Sequence, residues 1–436
     1  MRRMVYRFGP SLAAAMVYVL LVAVWRCWRP AYESLIGLFD ATPHRPPFGD
    51  LVSILQAGAC WRQGMNVFVA NPCMNGGTFN YSPFMLRSLL YPFGPADGIW
   101  LGLLIAAAFI TACACLPPAR SAWQLAGRCL ALCSGMVMYA LEAANVDAVI
   151  FVLLAGGVWL LRACQIWSLA AYGVFAFAGA LKFYPAVLLG LMLRESRARL
   201  ALVAGVVLAG AVLFLVHFGR DSQIAVAGLP AGLPYRGGFS AMNIPFGLAL
   251  LVFSPVLTLD PTPPDYFTAI AAPHFAQYVL LGTWGLIALA LLAAWRLAPG
   301  YEAALARLDD PRRLFLLAGA MLIAFCFLAA ENYDYRGIFL LFALPAVQEM
   351  AVPPGNEGVP ARLLALVVLV LLWEAPLRQA LGMAGLYPRI FVWLLRDGLW
   401  WCLVVNFAAF VFAQLRTDWR RLTAPRGAMV LMEPGI

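Results

Sequence analysis

Asp50 heads a short amphipathic run, Leu51–Ala57, inside a long polar segment. A carboxylate there has two readings: a helix cap that stabilises the first turn by ~1 kcal/mol, or a general base at a membrane surface. Asp40, just upstream, is a weaker candidate for the same base. Further on in the segment come Asn80-Tyr81-Ser82-Pro83 and its cysteines Cys60 and Cys73. In an oxidising compartment this pair closes a disulfide; otherwise the two are small free thiols. Glu142, Asn145 and Asp147 share one polar tip between two apolar runs. Such groups either serve a site, pair with charges, or form a solvated turn. Lys182 is the only lysine among 30 basic residues, and it lies in Leu-Lys182-Phe-Tyr184-Pro185 with apolar sequence on both sides. It either snorkels to the interface or offers a phosphate a compact ammonium that differs from a guanidinium. Glu331-Asn-Tyr333-Asp334-Tyr335-Arg336 leads straight into another apolar run. It reads as an aromatic belt or as an arginine clamp for a phosphate oxygen. His44, His217 and His274 form no spaced ligand set and there is no Asp-x-Asp pair, so no divalent metal is expected.

The elements that position these residues have to live in lipid. Of 436 residues 63% are hydrophobic and 12% charged, against about 25% charged in a soluble domain. Mean hydropathy is +0.83. This excludes a soluble single-core enzyme, a disordered chain, a disulfide-rich secreted scaffold and a nucleic-acid-binding domain. Stretches apolar enough to span a bilayer lie near 11–27, 98–115, 128–141, 148–162, 167–181, 183–194, 200–218, 276–295, 314–330, 337–350, 363–378 and 393–415. They predict an all-α polytopic membrane protein, 1–436 as a single domain, with about twelve spans. Asn243–Ser254 is too short to cross and is expected to be re-entrant or interfacial, and Pro261–Pro264 to interrupt the helices around it. The Met-Arg-Arg-Met start reads as an uncleaved first span. A cytoplasmic N-terminus puts the Arg194–Arg199 turn, the Arg296–Arg313 segment and the Arg416–Arg426 tail inside too, as the positive-inside rule requires. Both termini are then cytoplasmic, and the net charge of +9 becomes a basic inner face that needs no acidic partner. Loops of about 28–97 and 217–275 fall outside, on the side of the polar clusters.

Asp50, Asn80-Tyr81-Ser82-Pro83, Glu142-Ala-Ala-Asn145-Val-Asp147, Leu-Lys182-Phe-Tyr184-Pro185 and Tyr333-Asp334-Tyr335-Arg336 follow one another in a recognisable order. From Asp50 to about Pro345 the chain resembles the bacterial glycosyltransferase family 87, in the GT-C superfamily of polyprenyl-phosphate-sugar-dependent membrane enzymes. The resemblance implies a GT-C-like bundle in the bacterial cytoplasmic membrane, with its site facing the periplasm or cell exterior. It implies inverting transfer of a hexose or pentose, mannose-type favoured, from a polyprenyl-phosphate donor to a cell-envelope glycan or lipid, without metal or other cofactor. Asp50 would be the base, and Lys182 and Arg336 would hold the donor phosphate. Asn80, Tyr81, Glu142, Asn145, Asp147, Tyr184, Tyr333, Asp334 and Tyr335 would line the substrates. Glu142, Asn145 and Asp147 would orient sugar hydroxyls or hold the basic residues. Two departures stand out: Ala143-Ala144 where the family has Arg-Gly, and Ser82 where it often has proline. The missing arginine removes a partner for a phosphate or an acid. A transporter or lipid flippase also places charges in spans, and an inactive envelope scaffold is the third reading.

Overall fold

With no water to satisfy their backbone groups, long apolar runs fold as helices. The computed structural model describes residues 2–423 except 40–42, 45–46, 89–91, 164, 228–234, 236, 255–262, 330, 354 and 383–384. Asp40, part of the Pro261–Pro264 stretch and the end of the basic tail lie outside the described residues. The N-terminal half runs α1 (Arg2–Cys27), α2 (Arg29–Leu38), α3 (Gly49–Arg62), α4 (Pro83–Ser88), α5 (Gly98–Ala114), α6 (Ala122–Leu132), α7 (Gly135–Glu142), α8 (Val146–Leu160) and α9 (Gln165–Lys182). A 3-10 helix, Tyr184–Arg194, leads to α10 (Arg197–Ala227), β1 (Gly238–Phe239), α11 (Asn243–Phe253), α12 (Pro263–Ile270), α13 (Phe275–Ala306) and α14 (Asp310–Ala329). Then come β2 (Asn332–Tyr333), a 3-10 turn at Asp334–Phe339, α15 (Leu340–Met350), α16 (Val359–Leu372), α17 (Glu374–Gly382) and α18 (Leu386–Thr423). The two short strands pair antiparallel, Gly238 opposite Tyr333 and Phe239 opposite Asn332.

Among the described residues six helices are long and apolar enough to cross a bilayer: α1, α5 with the turn before it, α10, α13, α14 and α18. Two bent pairs, α6 with α7 (41°) and α16 with α17 (63°), raise the number to at most eight. The expectation of about twelve exceeds this for a reason of length. α8 has 15 residues, a rise of ~22 Å against a hydrocarbon core of ~30 Å. The stretch at 183–194 is 3-10 rather than α, and 337–350 is divided between the Asp334–Phe339 turn and the 11 residues of α15. Several of these short elements are walled in by protein, so bilayer thickness does not set their length. α14 is the axis of the bundle, with 72% of its apolar window buried, whereas α10 buries 6% and faces outward. Around α14 the core is aromatic: Phe151 stacks on Phe342 at 4.3 Å, and Phe315 packs on the same ring at 5.5 Å.

Polar contacts tie the loops together in two groups. Arg120 pairs with Asp309 and Glu349, each at 2.7 Å, and Arg194 meets Asp310 at 3.1 Å. These join the start of α14 to the segments after α5 and before α10 and to the end of α15. The opposite ends of the same helices gather the start of α3, the α7–α8 junction, the end of α9 and the turn after β2.

Candidate functional site

Three sharp backbone turns build the site, each at a non-glycine residue with positive φ. Phe48 (φ 66°) precedes Gly49-Asp50, Ala144 (φ 45°) precedes Asn145, and Phe183 (φ 59°) follows Lys182. A left-handed turn costs an ordinary residue roughly 1–2 kcal/mol, so the surrounding packing has to hold each in place. Ala144 stands where the resembled family has glycine, and its left-handed backbone is one that glycine adopts freely. The first two turns are tied together: the Phe48 N–H donates to the Glu142 carbonyl (3.1 Å) and the Leu51 N–H to that of Ala143 (3.3 Å). Asp50 is thereby clamped against the α7–α8 junction.

Asp50 does not act as the helix cap. The N-cap of α3 is Phe48, with no side-chain cap bond, and Asp50 Oδ2 instead accepts from Asn145 Nδ2 at 2.5 Å. Burial raises the Asp50 carboxyl above its ordinary value, opposed by the Asn145 hydrogen bond and by the nearby His44 and Lys182 charges. Asn145 is fully buried and caps α8, its Oδ1 accepting from the Asp147 N–H at 2.9 Å. The same oxygen lies 3.3 Å from Lys182 Nζ. One amide therefore joins the carboxylate of Asp50 to the ammonium of Lys182.

Behind Asn145, Asp147 is wholly buried and accepts from Lys182 Nζ (2.6 Å) and the Tyr184 hydroxyl (2.9 Å). Its other oxygen lies 3.5 Å from Arg336 Nε. Of the two roles open to Asp147, holding the basic residues is the one its burial allows. Arg336 lies over the Tyr184 ring at 4.7 Å, and Lys182 over Tyr81 and Tyr335 at 5.2 and 5.7 Å. Arg336 also donates to Asn332 Oδ1. Two cations, their shared anion and five tyrosine or asparagine partners thus form one cluster beside Asp50.

Glu142 is 5% exposed and turns away from this cluster. It accepts from the Tyr32 hydroxyl (3.1 Å) and the His44 N–H (3.2 Å), and pairs with His44 Nδ1 at 2.9 Å. That hydrogen bond raises the His44 pKa above its ordinary 6.5, with burial opposing it. His44 was passed over in the sequence because it belongs to no spaced set; its partner lies 98 residues away.

Asp334, expected among the substrate ligands, turns away from the cluster. Successive residues of a 3-10 turn point about 120° apart, so Asp334 and Arg336 diverge. The Asp334 N–H bonds the Gly237 carbonyl at 2.9 Å, and its carboxylate lies 3.8 Å from Arg378, which meets Glu374 at 3.2 Å. Burial, with Glu374 beside it, pushes the Asp334 carboxyl up. Arg396 continues this second network, pairing with Asp397 at 2.9 Å and donating to the Gly238 carbonyl at 3.1 Å. Its signal was in the sequence: Arg396, Asp397 and Glu374 are ionisable residues inside stretches read as spans. Asn80 is half-buried, and among the described residues no hydrogen bond or ion pair joins its side chain to the first cluster. Tyr333 is 40% exposed and stacks on Tyr335 at 5.9 Å.

Cys60 and Cys73 form a disulfide, Cα–Cα 6.0 Å, between α3 and the loop that carries Tyr81. From it a run of aromatic rings, Trp61, Phe68, Phe79 and Tyr81, leads back to Lys182 in steps of 6.1, 5.9, 5.7 and 5.2 Å. The arrangement pairs one partly buried carboxylate with a two-cation centre, a combination suited to removing a proton beside a developing anion. In comparisons with known proteins, no family model, curated protein or solved structure matches the chain.

Proposed function

We propose that the chain is an inverting glycosyltransferase of the GT-C type, similar to family 87, that takes a sugar from a polyprenyl-phosphate donor at the outer face of the bacterial cytoplasmic membrane. One observation carries this reading: Asp50 is joined through Asn145 to Lys182, which shares Asp147 with Arg336. An acceptor hydroxyl oxygen attacks the anomeric carbon while Asp50 takes its proton. The bond from that carbon to the phosphate oxygen breaks, and the electron pair leaves with polyprenyl phosphate. Lys182 and Arg336 stabilise the departing charge from positions already fixed by Asp147, so no reorganisation is needed at the moment of reaction. A single displacement inverts the anomeric centre. A mannose-type sugar and a cell-envelope acceptor remain the favoured substrates.

The two groups of loops support the orientation, since the ion-paired group contains the segments placed inside by the charge rule and the other contains the site. Counting α8, α9, the Tyr184–Arg194 helix and α15 as partial crossings brings the bundle to about twelve. A transporter or flippase is the second reading, favoured by the Arg396–Asp397 pair buried within the long helix α18. Asp50→Asn decides between the two. It keeps the Asn145 contact in shape but removes the base, so release of polyprenyl phosphate from a labelled donor should fall about 10²–10⁴-fold. Retained transfer by this variant would overturn the assignment, and substrate flux without sugar transfer would favour the transporter.

A further inference from the structure

Between the C-terminal end of α3 and the last turns of α10 lies an open cleft with a volume of about 410 Å³, within the size range of small-ligand sites. Trp61 and Phe68 give it aromatic surface, Asn66 and Asp221 give it polar groups, and Gly64 and Ile224 complete the walls. Its shape is fixed in advance. Gly64 turns the chain at φ 81° just after α3, its N–H donating to the Trp61 carbonyl at 2.9 Å. Asn66 Oδ1 accepts from the Phe68 N–H at 3.0 Å, and Asn71 Nδ2 donates to the Asn66 carbonyl at 3.2 Å. The Cys60–Cys73 disulfide closes this loop back onto α3. On the other wall, Arg87 of α4 pairs with Asp221 of α10. The same guanidinium lies over the Trp61 and Phe218 rings at 5.2 and 5.6 Å, so α3, α4 and α10 are held together around the opening.

Three features select the occupant. Asp221 is the one ionisable residue among the described lining, and Arg87 matches it, so the cleft offers no net charge to an ion. Level with the cleft, the exposed apolar run of α10 through Leu213, Leu215 and Val216 has given way to Arg220-Asp221-Ser222-Gln223. Such a polar run lies beyond the hydrocarbon core, where an acyl chain has no reason to sit. Among the described residues Asn66 Nδ2 and Asp221 Oδ1 enter no hydrogen bond, leaving one donor and one acceptor for a ligand. A donor and an acceptor beside two aromatic rings suit a molecule with both hydroxyl groups and apolar C–H faces, an uncharged sugar.

We propose that this cleft binds an uncharged oligosaccharide, the body of the acceptor glycan. Trp61 lies eleven residues beyond Asp50 on α3, about 16 Å along the helix axis, a distance that a short oligosaccharide spans. The acceptor role rests on the transferase reading; the binding rests on the cleft alone. The experiment therefore measures binding with no donor present. The full chain in nanodiscs is titrated with mannotriose, or with trigalacturonate as an anion of similar size, and contact is read by saturation-transfer NMR. Mannotriose should bind, and Trp61→Ala and Ile224→Arg should each weaken that binding about tenfold or more. Gly205→Ala, in an open part of α10, should bind as the wild type does. Ile224 is 38% exposed, so its variant should keep the wild-type unfolding midpoint and separate loss of binding from loss of fold. Absence of mannotriose binding to the wild type, or binding left intact by either cleft variant, would overturn the proposal. Equal or tighter binding of trigalacturonate would assign the cleft to an acidic ligand and overturn it as well. Transfer without cleft binding removes this proposal alone, and cleft binding without transfer removes the transferase reading alone.

Discussion

Asn145 shows how much of the site hangs on one side chain. Its oxygen caps α8 and meets Lys182, while its nitrogen holds Asp50. The sequence marked Asp50, Asn145, Asp147, Lys182 and Arg336 because polar residues stand out where so few are charged. It could not show that Asp147 is shared by two cations, since that depends on a fold bringing residues 147, 182 and 336 together. His44 was invisible for the same reason, and it carries a prediction at this scale. Its pKa is raised in the folded protein by Glu142. The stabilisation is therefore fully present below the unfolded value of about 6.5 and is lost as pH rises through the higher folded value. Thermal unfolding in detergent should show a midpoint that falls between pH 6 and pH 9, and His44→Gln should flatten that slope. A slope unchanged in the variant would mean that the His44–Glu142 pair contributes nothing to stability.

At the scale of elements, the position of Asp50 depends on how closely α5 approaches the turn before α3. A Cβ on Gly102 would lie 2.4 Å from the Phe48 ring, so glycine is what lets that ring sit against α5. Gly102→Ala should destabilise the fold by about 1–3 kcal/mol through overpacking and should lower transfer as Phe48 drags Asp50 with it. Gly205→Ala, with nothing within 4 Å of the added carbon, is the control and should leave transfer unchanged and stability unchanged or slightly raised. Equal behaviour of the two variants would dismiss the coupling. Element existence was largely legible, because apolar runs of this length have few other fates. Breaks were less so: the bends after Leu132 and Leu372 fall within apolar stretches that hydropathy reads as continuous. The β1–β2 pair, two residues per strand, gave no periodicity to find.

For the whole molecule, hydropathy reported which segments avoid water but not whether lipid or protein surrounds them. The segments that fell short as spans include α8 and α15, both largely buried against neighbouring helices. Orientation can be read from two thiols. Cys27 ends α1 and Cys115 follows α5, and both are exposed. With the site outside, a membrane-impermeant maleimide applied to intact cells should label Cys27 and spare Cys115, in variants that keep Cys60 and Cys73. The reverse pattern would turn the protein over in the membrane and put Asp50 in the cytoplasm.

The burial of Asp147 between Lys182 and Arg336 also bears on turnover. Two cations share this one carboxylate, so the cluster keeps one uncompensated positive charge for an arriving anion. In the proposed transfer a departing phosphate would therefore be held by one net positive charge rather than two. Asp147 would thus weaken the hold on the spent phosphate while keeping both cations where they stand. On the transferase reading, product release would be eased by a group that never touches the sugar.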